Sequence, residues 1–166
     1  MPDLPVEDEL TEIFSLFTKY GESDYLGESL SKTAHSIQAG MQAEAEGYCD
    51  AIILGSFFHD IGHLVGEQKQ HKNMTFEGTN LGTQDHGNVG ADYLESHGFD
   101  RDVTDIGGVM NDDEVRQFES HPDYRTFVRM RHWDEMAKDP DRKDMKSLDY
   151  YRAMAVKYLT GKKPRS

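Results

Sequence analysis

The segment 49–63, CDAIILGSFFHDIGH, decides the fold. It is apolar on nearly every side, so it predicts one continuous helix that lies buried at the centre of the protein. His59 and Asp60 stand within this helix, and an aspartate is rarely buried without a partner, because removing a carboxylate from water is costly. Taken alone, the two residues are typical either of a hydrogen-bonded pair in a core or of a metal site.

Segments on both sides of this helix carry apolar residues at steps of three and four, which is typical of amphipathic helices. The predicted helices are 6–20, 29–46, 85–97, 112–120, 122–138 and 147–159. Segment 64–84 is polar, contains glycine and has no period, so we predict a long loop there. Because no segment alternates as a strand does, the predicted fold class is all-α, a compact helical bundle.

Length and composition limit the classes of protein to which the chain can belong. With 166 residues, positions 1–161 fit a single domain, and 162–166 are expected to form a loose tail. The net charge of −13 disfavours nonspecific binding of nucleic acid and of anionic membranes, which need basic surfaces. A single cysteine, an acidic start and the lack of a long apolar segment favour a cytoplasmic protein.

Histidine and aspartate recur around the central pair at positions that favour a metal site. Four more candidate metal-site residues lie on the predicted helices, namely His35, His63, His86 and Asp134. His63 lies one turn beyond His59, on the same face of the central helix. Neutral imidazoles and carboxylates that come from four helices suit iron, manganese or zinc.

Five short motifs, taken together, resemble one family of enzymes. They are DYLGE (24–28), TAHSIQAG (33–40), FFHDIGHL (57–64), DHGNVGADYL (85–94) and RHWDE (131–135). The spacing of His35, His59-Asp60 and Asp134 is similar to the signature of the HD-domain superfamily, most of whose members are metal-dependent phosphohydrolases. The motifs in this order are more similar to one branch, the mixed-valent diiron oxygenases that cleave 1-hydroxyphosphonates, which are related to myo-inositol oxygenase.

The resemblance implies two iron ions, Fe(II) and Fe(III), with dioxygen as co-substrate. It implies five iron ligands, namely His35, His59, Asp60, His86 and Asp134. Asp60 is expected to bridge the two ions. The implied reaction is oxidative cleavage of the C–P bond of a 1-hydroxy-2-(amino or trimethylammonio)ethylphosphonate, which releases phosphate and glycine or glycine betaine.

Three further residues acquire roles from the same resemblance. His63 is expected to contact the phosphonate group of the small-molecule substrate. Tyr25 is expected to occupy the open iron position until the substrate arrives, and Glu28 to bind the amino end of the substrate. The residues leave open whether that end is an amine or a trimethylammonium group.

The sequence departs from the family pattern after Ile106. The family has a further helix there, which carries a sixth ligand, a histidine, and a phosphate-binding lysine. The other histidines do not replace this ligand easily: His97 lies about 16 Å along its helix from His86, and His132 faces away from Asp134. Either the protein lacks the segment or the sequence omits a stretch, and we favour omission because both flanks match the family.

Two other functions stay open at this point. One is a metal-dependent HD phosphohydrolase, in which a metal-bound hydroxide attacks a phosphoester and His86 is not required. The other is a non-catalytic relic of the family. Iron content distinguishes the oxygenase from both alternatives.

Overall fold

The computed structural model describes residues 5–23, 30–70, 73–76, 79–83, 85–104 and 124–161. The helices are α1 Val6–Tyr20, α2 Lys32–Ala45, α3 Asp50–Phe57, α4 Ile61–Lys69, α5 His86–Ser96, α6 Arg101–Thr104, α7 Tyr124–Met136 and α8 Leu148–Thr160. Two short strands, β1 Asn73–Phe76 and β2 Thr79–Thr83, pair antiparallel. This part of the chain is mainly helical, which confirms the all-α prediction.

The apolar period predicted most helix ends within three residues. At the last helix, a capping residue fixes the start. The hydroxyl oxygen of Ser147 accepts a hydrogen bond from the backbone N–H of Tyr150, which caps α8 at its predicted start. The predicted helix 112–120 lies outside the described residues.

The central segment 49–63 forms two helices, so the prediction of one continuous helix is wrong. α3 ends at Phe57, α4 begins at Ile61, and the three residues between them form a turn. Asp60 has φ −109° and ψ 12°, which interrupts the helical backbone. On a continuous helix, adjacent side chains diverge by about 100°. The turn allows His59 and Asp60 to face the same region.

The predicted loop 64–84 also contains structure. α4 continues to Lys69, and the two strands pair so that Asn73 lies opposite Thr83. The prediction missed the strands because they have only four and five residues, too few to show a clear alternation. This hairpin matters because Thr83 lies beside the candidate site.

The core surrounds α3, which packs against α2, α6, α7 and α8. The ring of Phe57 stacks on Phe17 of α1 at 4.9 Å between centroids, and on Tyr151 of α8 at 4.3 Å. All three rings are fully buried. The prediction that segment 49–63 is central is therefore confirmed.

Two glycines allow α4 and α5 to approach closely. A Cβ atom at Gly62 would lie 1.8 Å from the carbonyl oxygen of His86, and one at Gly90 would lie 2.9 Å from the backbone nitrogen of Gly62. A residue with a side chain at position 62 would therefore push α5 away. The close approach places His86, the first residue of α5, next to the turn that carries Asp60.

The contact of α7 with α2 is anchored by Trp133, which is fully buried. Its indole N–H donates a hydrogen bond to the carboxylate of Glu46, which also pairs with Arg129. The ring of Tyr48 meets the indole edge to face at 4.9 Å between centroids. Because Asp134 follows Trp133 along α7, this anchor also sets the position of Asp134.

Candidate metal centre

The structure brings together five side chains that the sequence predicts as ligands. They come from α2, from the turn between α3 and α4, from the start of α5 and from α7: His35, His59, Asp60, His86 and Asp134. The Nε2 atom of His35 lies 3.2 Å from Nε2 of His59 and 2.9 Å from Oδ1 of Asp134. The distance from Nε2 of His59 to Oδ1 of Asp134 is 3.0 Å.

Backbone carbonyls determine which nitrogen of each ring faces this cluster. Nδ1 of His35 donates to the carbonyl oxygen of Ala137 at 2.7 Å, and Nδ1 of His59 donates to that of Ser56 at 2.7 Å. A carbonyl oxygen only accepts, so each Nδ1 carries a proton, and each neutral ring presents the lone pair of Nε2. Histidines that bind metal ions are held in this way.

The donor atoms of the cluster fit a cation. Oδ2 of Asp60 lies 3.2 Å from Nε2 of His59 and 3.4 Å from Nε2 of His35, yet among the described residues it has no hydrogen-bond partner. A buried carboxylate oxygen that faces two imidazole lone pairs is unfavourable unless a cation or protons lie between them. Imidazole nitrogens and carboxylate oxygens suit iron, as well as manganese and zinc.

Without a metal ion, the carboxylates favour protonation of the histidines of this cluster. Burial lowers the pKa of His59, but the carboxylates of Asp60 and Asp134 outweigh it and hold that pKa well above its usual range. Burial also lowers the pKa of His35, but the carboxylates of Asp134 and Asp60 outweigh it and raise that pKa. Burial raises the pKa of Asp60, but the neighbouring imidazoles of His59, His35 and His86 lower it well below its usual range.

The second oxygen of Asp60 faces a different pair of histidines. Oδ1 lies 3.3 Å from Nε2 of His86 and 3.9 Å from Nε2 of His63. The rings of His63 and His86 stack, with 4.0 Å between centroids. One carboxylate thus directs its two oxygens to two groups of donors, which is the geometry that a bridging ligand requires.

His63 differs from the other histidines in the position of its proton. Its Nδ1 accepts the backbone N–H of Thr83 at 3.0 Å, so the proton of the neutral ring lies on Nε2. Burial lowers the pKa of His63 to about 4, which keeps the ring neutral near pH 7. A protonated ring nitrogen donates a hydrogen bond and does not bind a metal ion. The geometry separates His63 from the ligand candidates.

Sequence reasoning missed the residues that orient these side chains. Thr83 lies in the segment that was predicted to be a loop, and the carbonyls of Ser56 and Ala137 are backbone groups that leave no pattern in the sequence. Glu46, which holds Trp133, gave no signal either. Only the proximity of Trp133 to Asp134 in the RHWDE motif pointed to this support.

The other histidines lie apart from the centre or outside the described residues. His97, at the end of α5, contacts Glu12 of α1 at 3.0 Å, and His132 is exposed on α7. His71 and His121 lie outside the described residues, as do Tyr25 and Glu28.

Residues 31–154 match the HD domain. The chain belongs to the HD-domain family. The matched range contains every ligand candidate, from His35 on α2 to Asp134 on α7. None of the helices that the structure describes has the length and apolarity needed to cross a lipid bilayer.

Three relatives extend this comparison over most of the chain. An uncharacterised protein of Acanthamoeba polyphaga mimivirus is 32% identical over 89% of this chain and 80% of its own length. The glycine-betaine-forming 1-hydroxy-2-(trimethylamino)ethylphosphonate dioxygenase of Leisingera caerulea is 27% identical over 84% of this chain and 83% of its own. The hydroxymethylphosphonate dioxygenase of Gimesia maris is 26% identical over 79% of each chain.

The alignments bear on the helix that the family has after Ile106 and that this sequence lacks. The alignment with the mimivirus protein runs over 181 positions, more than the 166 residues of this chain. That relative therefore has internal residues with no counterpart here. Their location after Ile106 stays a prediction, since this region lies outside the described residues.

Proposed function

We propose that this HD-domain protein is a non-haem diiron oxygenase. It uses dioxygen to cleave the C–P bond of a 1-hydroxy-2-(amino or trimethylammonio)ethylphosphonate and releases phosphate with glycine or glycine betaine. The observation that carries the proposal is the Asp60 carboxylate, which directs Oδ2 to His35 and His59 and Oδ1 to His86. Two relatives that are dioxygenases of hydroxyphosphonates support the class of substrate.

Asp60 divides the five proposed ligands into two groups. One ion would be held by His35, His59, Asp60 and Asp134. The other would be held by Asp60 and His86, whose donor atoms lie 3.3 Å apart. The two ions, Fe(II) and Fe(III), supply the dioxygen chemistry and the positive charge that a phosphonate dianion needs in a chain of net charge −13. The chain itself supplies ligand geometry and a buried surrounding.

His63 binds the substrate in this proposal. Its Nε2–H group lies on the His86 side of the centre, where it donates a hydrogen bond to a phosphonate oxygen. Thr83 fixes the proton on Nε2 by donating to Nδ1. The pKa of about 4 means that the ring donates as a neutral group.

Tyr25 and Glu28 keep the roles that the resemblance to the diiron oxygenases implies. Tyr25 occupies the open iron position before the substrate binds, and Glu28 pairs with the amino or trimethylammonio group. Both residues lie outside the described part of the chain, so their roles rest on the DYLGE motif alone.

The decisive experiment measures phosphate release from both hydroxyphosphonates by iron-loaded protein, with and without dioxygen. We expect release that requires dioxygen and yields one phosphate for each glycine or glycine betaine. The Asp60→Asn variant serves as the inactive control. Phosphate release without dioxygen, or release from simple phosphoesters only, would contradict the proposal.

A metal-dependent phosphohydrolase is the second candidate, and one observation favours it. His35, His59, Asp60 and Asp134 alone place four donor atoms within 4.8 Å of one another, which is a sufficient donor set for one metal ion. Hydrolysis at such a site does not require His86. The anaerobic arm of the same experiment distinguishes this candidate, and a non-catalytic relic would release phosphate under neither condition.

A further inference from the structure

Lys32 lies at the edge of the metal centre and has no part in the function described above. It is the first residue of α2, one turn before His35. Its Nζ atom lies 3.4 Å from Oε2 of Glu67, which lies one turn after His63 on α4. The pair therefore connects the two helices one turn outward from the histidines.

The two partners of this ion pair differ in their exposure to solvent. The side chain of Lys32 is 15% exposed, whereas that of Glu67 is 43% exposed. A contact of 3.4 Å with a carboxylate that water reaches is a weak interaction. Lys32 thus holds a largely buried positive charge against a partner that water can solvate in its place.

The Lys32–Glu67 pair joins α2 to α4 one turn from His35 and one turn from His63, so it flanks the side of the centre on which His63 lies. Burial is the main reason for the low pKa of His63, and the charge of Lys32 lowers it further. The carboxylates of Asp60 and Asp134 belong to the centre itself, and that of Glu67 lies one turn beyond His63 on α4. A positive group of the protein on this side adds to the attraction that bound metal ions exert on a dianion.

We propose that Lys32 binds an oxygen of the phosphonate group of the substrate, and that Glu67 competes with the substrate for Lys32. This inference rests on the proposed function for the identity of the ligand. Lys32 donates to one oxygen of the tetrahedral anion and His63 donates to another. Glu67, which is solvated when displaced, keeps the ammonium in place when the site is empty of substrate.

The test compares variants of both partners in binding of inorganic phosphate, measured by calorimetry at pH 8 with metal-loaded protein. We expect Lys32→Gln to weaken phosphate binding about tenfold or more, because a charge-assisted hydrogen bond is lost. We expect Glu67→Gln to tighten binding several-fold, because the competitor is removed. Lys32→Arg should retain binding, which guards against a general folding defect in the glutamine variant.

If the ion pair had only a structural role, both glutamine variants would lose the same contact and would change phosphate affinity alike. The matched control is Lys157→Gln, which removes one positive charge from an exposed ion pair with Asp50 at 3.5 Å and should leave phosphate affinity unchanged. Equal effects of Lys32→Gln and Glu67→Gln, or no phosphate binding by the unaltered protein, would overturn the assignment.

Turnover of the hydroxyphosphonates separates this inference from the proposed function. If the protein cleaves them and Lys32→Gln has an unchanged KM, the role of Lys32 is wrong while the function stands. If the protein cleaves none of them but Lys32→Gln still loses phosphate binding while Glu67→Gln gains it, the role of Lys32 stands and the function is wrong. A raised KM with little change in kcat supports both.

Discussion

Two groups of histidine and carboxylate side chains in this protein look alike at the level of residue types and differ in their surroundings. The candidate metal centre contains His35, which is fully buried, and Asp60, whose Oδ2 has no hydrogen-bond partner in the described part of the chain. The peripheral group consists of His97, Glu9 and Glu12. There, Nε2 of His97 lies 3.0 Å from Oε2 of Glu12, whose side chain is 59% exposed.

The orientation of the ring does not separate the two groups. Nδ1 of His97 donates to the carbonyl oxygen of Tyr93 at 2.8 Å, just as the inner histidines donate to carbonyls. The difference is that Nε2 of His97 has Glu12 at 3.0 Å and Glu9 at 3.6 Å as partners, and water solvates the exposed carboxylate of Glu12. At the centre, several lone pairs and two carboxylates meet where water is largely excluded. Convergence and burial together, more than residue type, distinguish the candidate metal centre from the peripheral group.

The largest effect should come from removing central ligands while sparing the peripheral group. We expect His59→Ala and Asp60→Ala to lose bound iron and to reduce activity to background, because each removes a donor that faces the ion directly. His97→Ala and His132→Ala should retain nearly full iron content and activity. Metal analysis and turnover of the four variants provide the measurement, and loss of iron from His97→Ala would contradict our assignment.

A second variant should distinguish the two groups of donor atoms that Asp60 faces. We expect His86→Ala to retain the ion held by His35, His59 and Asp134 and to lose the other, so that iron content falls by about half. Oxygen-dependent cleavage should disappear with it. Iron analysis of protein purified without oxygen provides the test. Full iron content in His86→Ala, or a single zinc ion in the unaltered protein, would be incompatible with two ions bridged by Asp60.

The sequence predicted which side chains converge at the candidate centre better than it predicted how they are held. The apolar period located α1 and α8, because these helices each bury one face. It could not predict the break before Ile61, since apolar residues stand on both sides of the turn and are buried whether or not the helix is continuous. Thr83 and Glu46 were missed because each acts through a tertiary contact with a residue far away in the sequence, at His63 and at Trp133.

The close approach of α4 to α5 predicts a smaller effect, on stability. Gly62→Ala places a Cβ atom against the backbone of His86, and backbone cannot move aside as a flexible side chain can. We expect the free energy of unfolding to fall by about 1–3 kcal/mol or more, together with weaker metal binding at His86. Gly47→Ala is the control, because Gly47 has φ +82° but open space around it, and strain alone should cost about 1 kcal/mol. Equal losses of unfolding free energy in Gly62→Ala and Gly47→Ala, measured by thermal unfolding, would contradict the close approach of α4 to α5.

The last comparison concerns protons, which compete with a metal ion for the central histidines. Because the pKa of His59 is well above its usual range and that of His35 is also raised, the metal-free rings hold protons that a metal ion must displace. Below these raised pKa values, each displaced proton should increase the apparent association constant about tenfold for each pH unit. Above them, the affinity should no longer change with pH. Calorimetric titration with Fe(II) under anaerobic conditions, in buffers that differ in ionisation enthalpy, counts the protons released. His97→Ala should release the same number, since the peripheral pair takes no part. If no protons are released at pH 7, His35 and His59 are neutral in the metal-free protein, and the neighbouring carboxylates do not raise their pKa values.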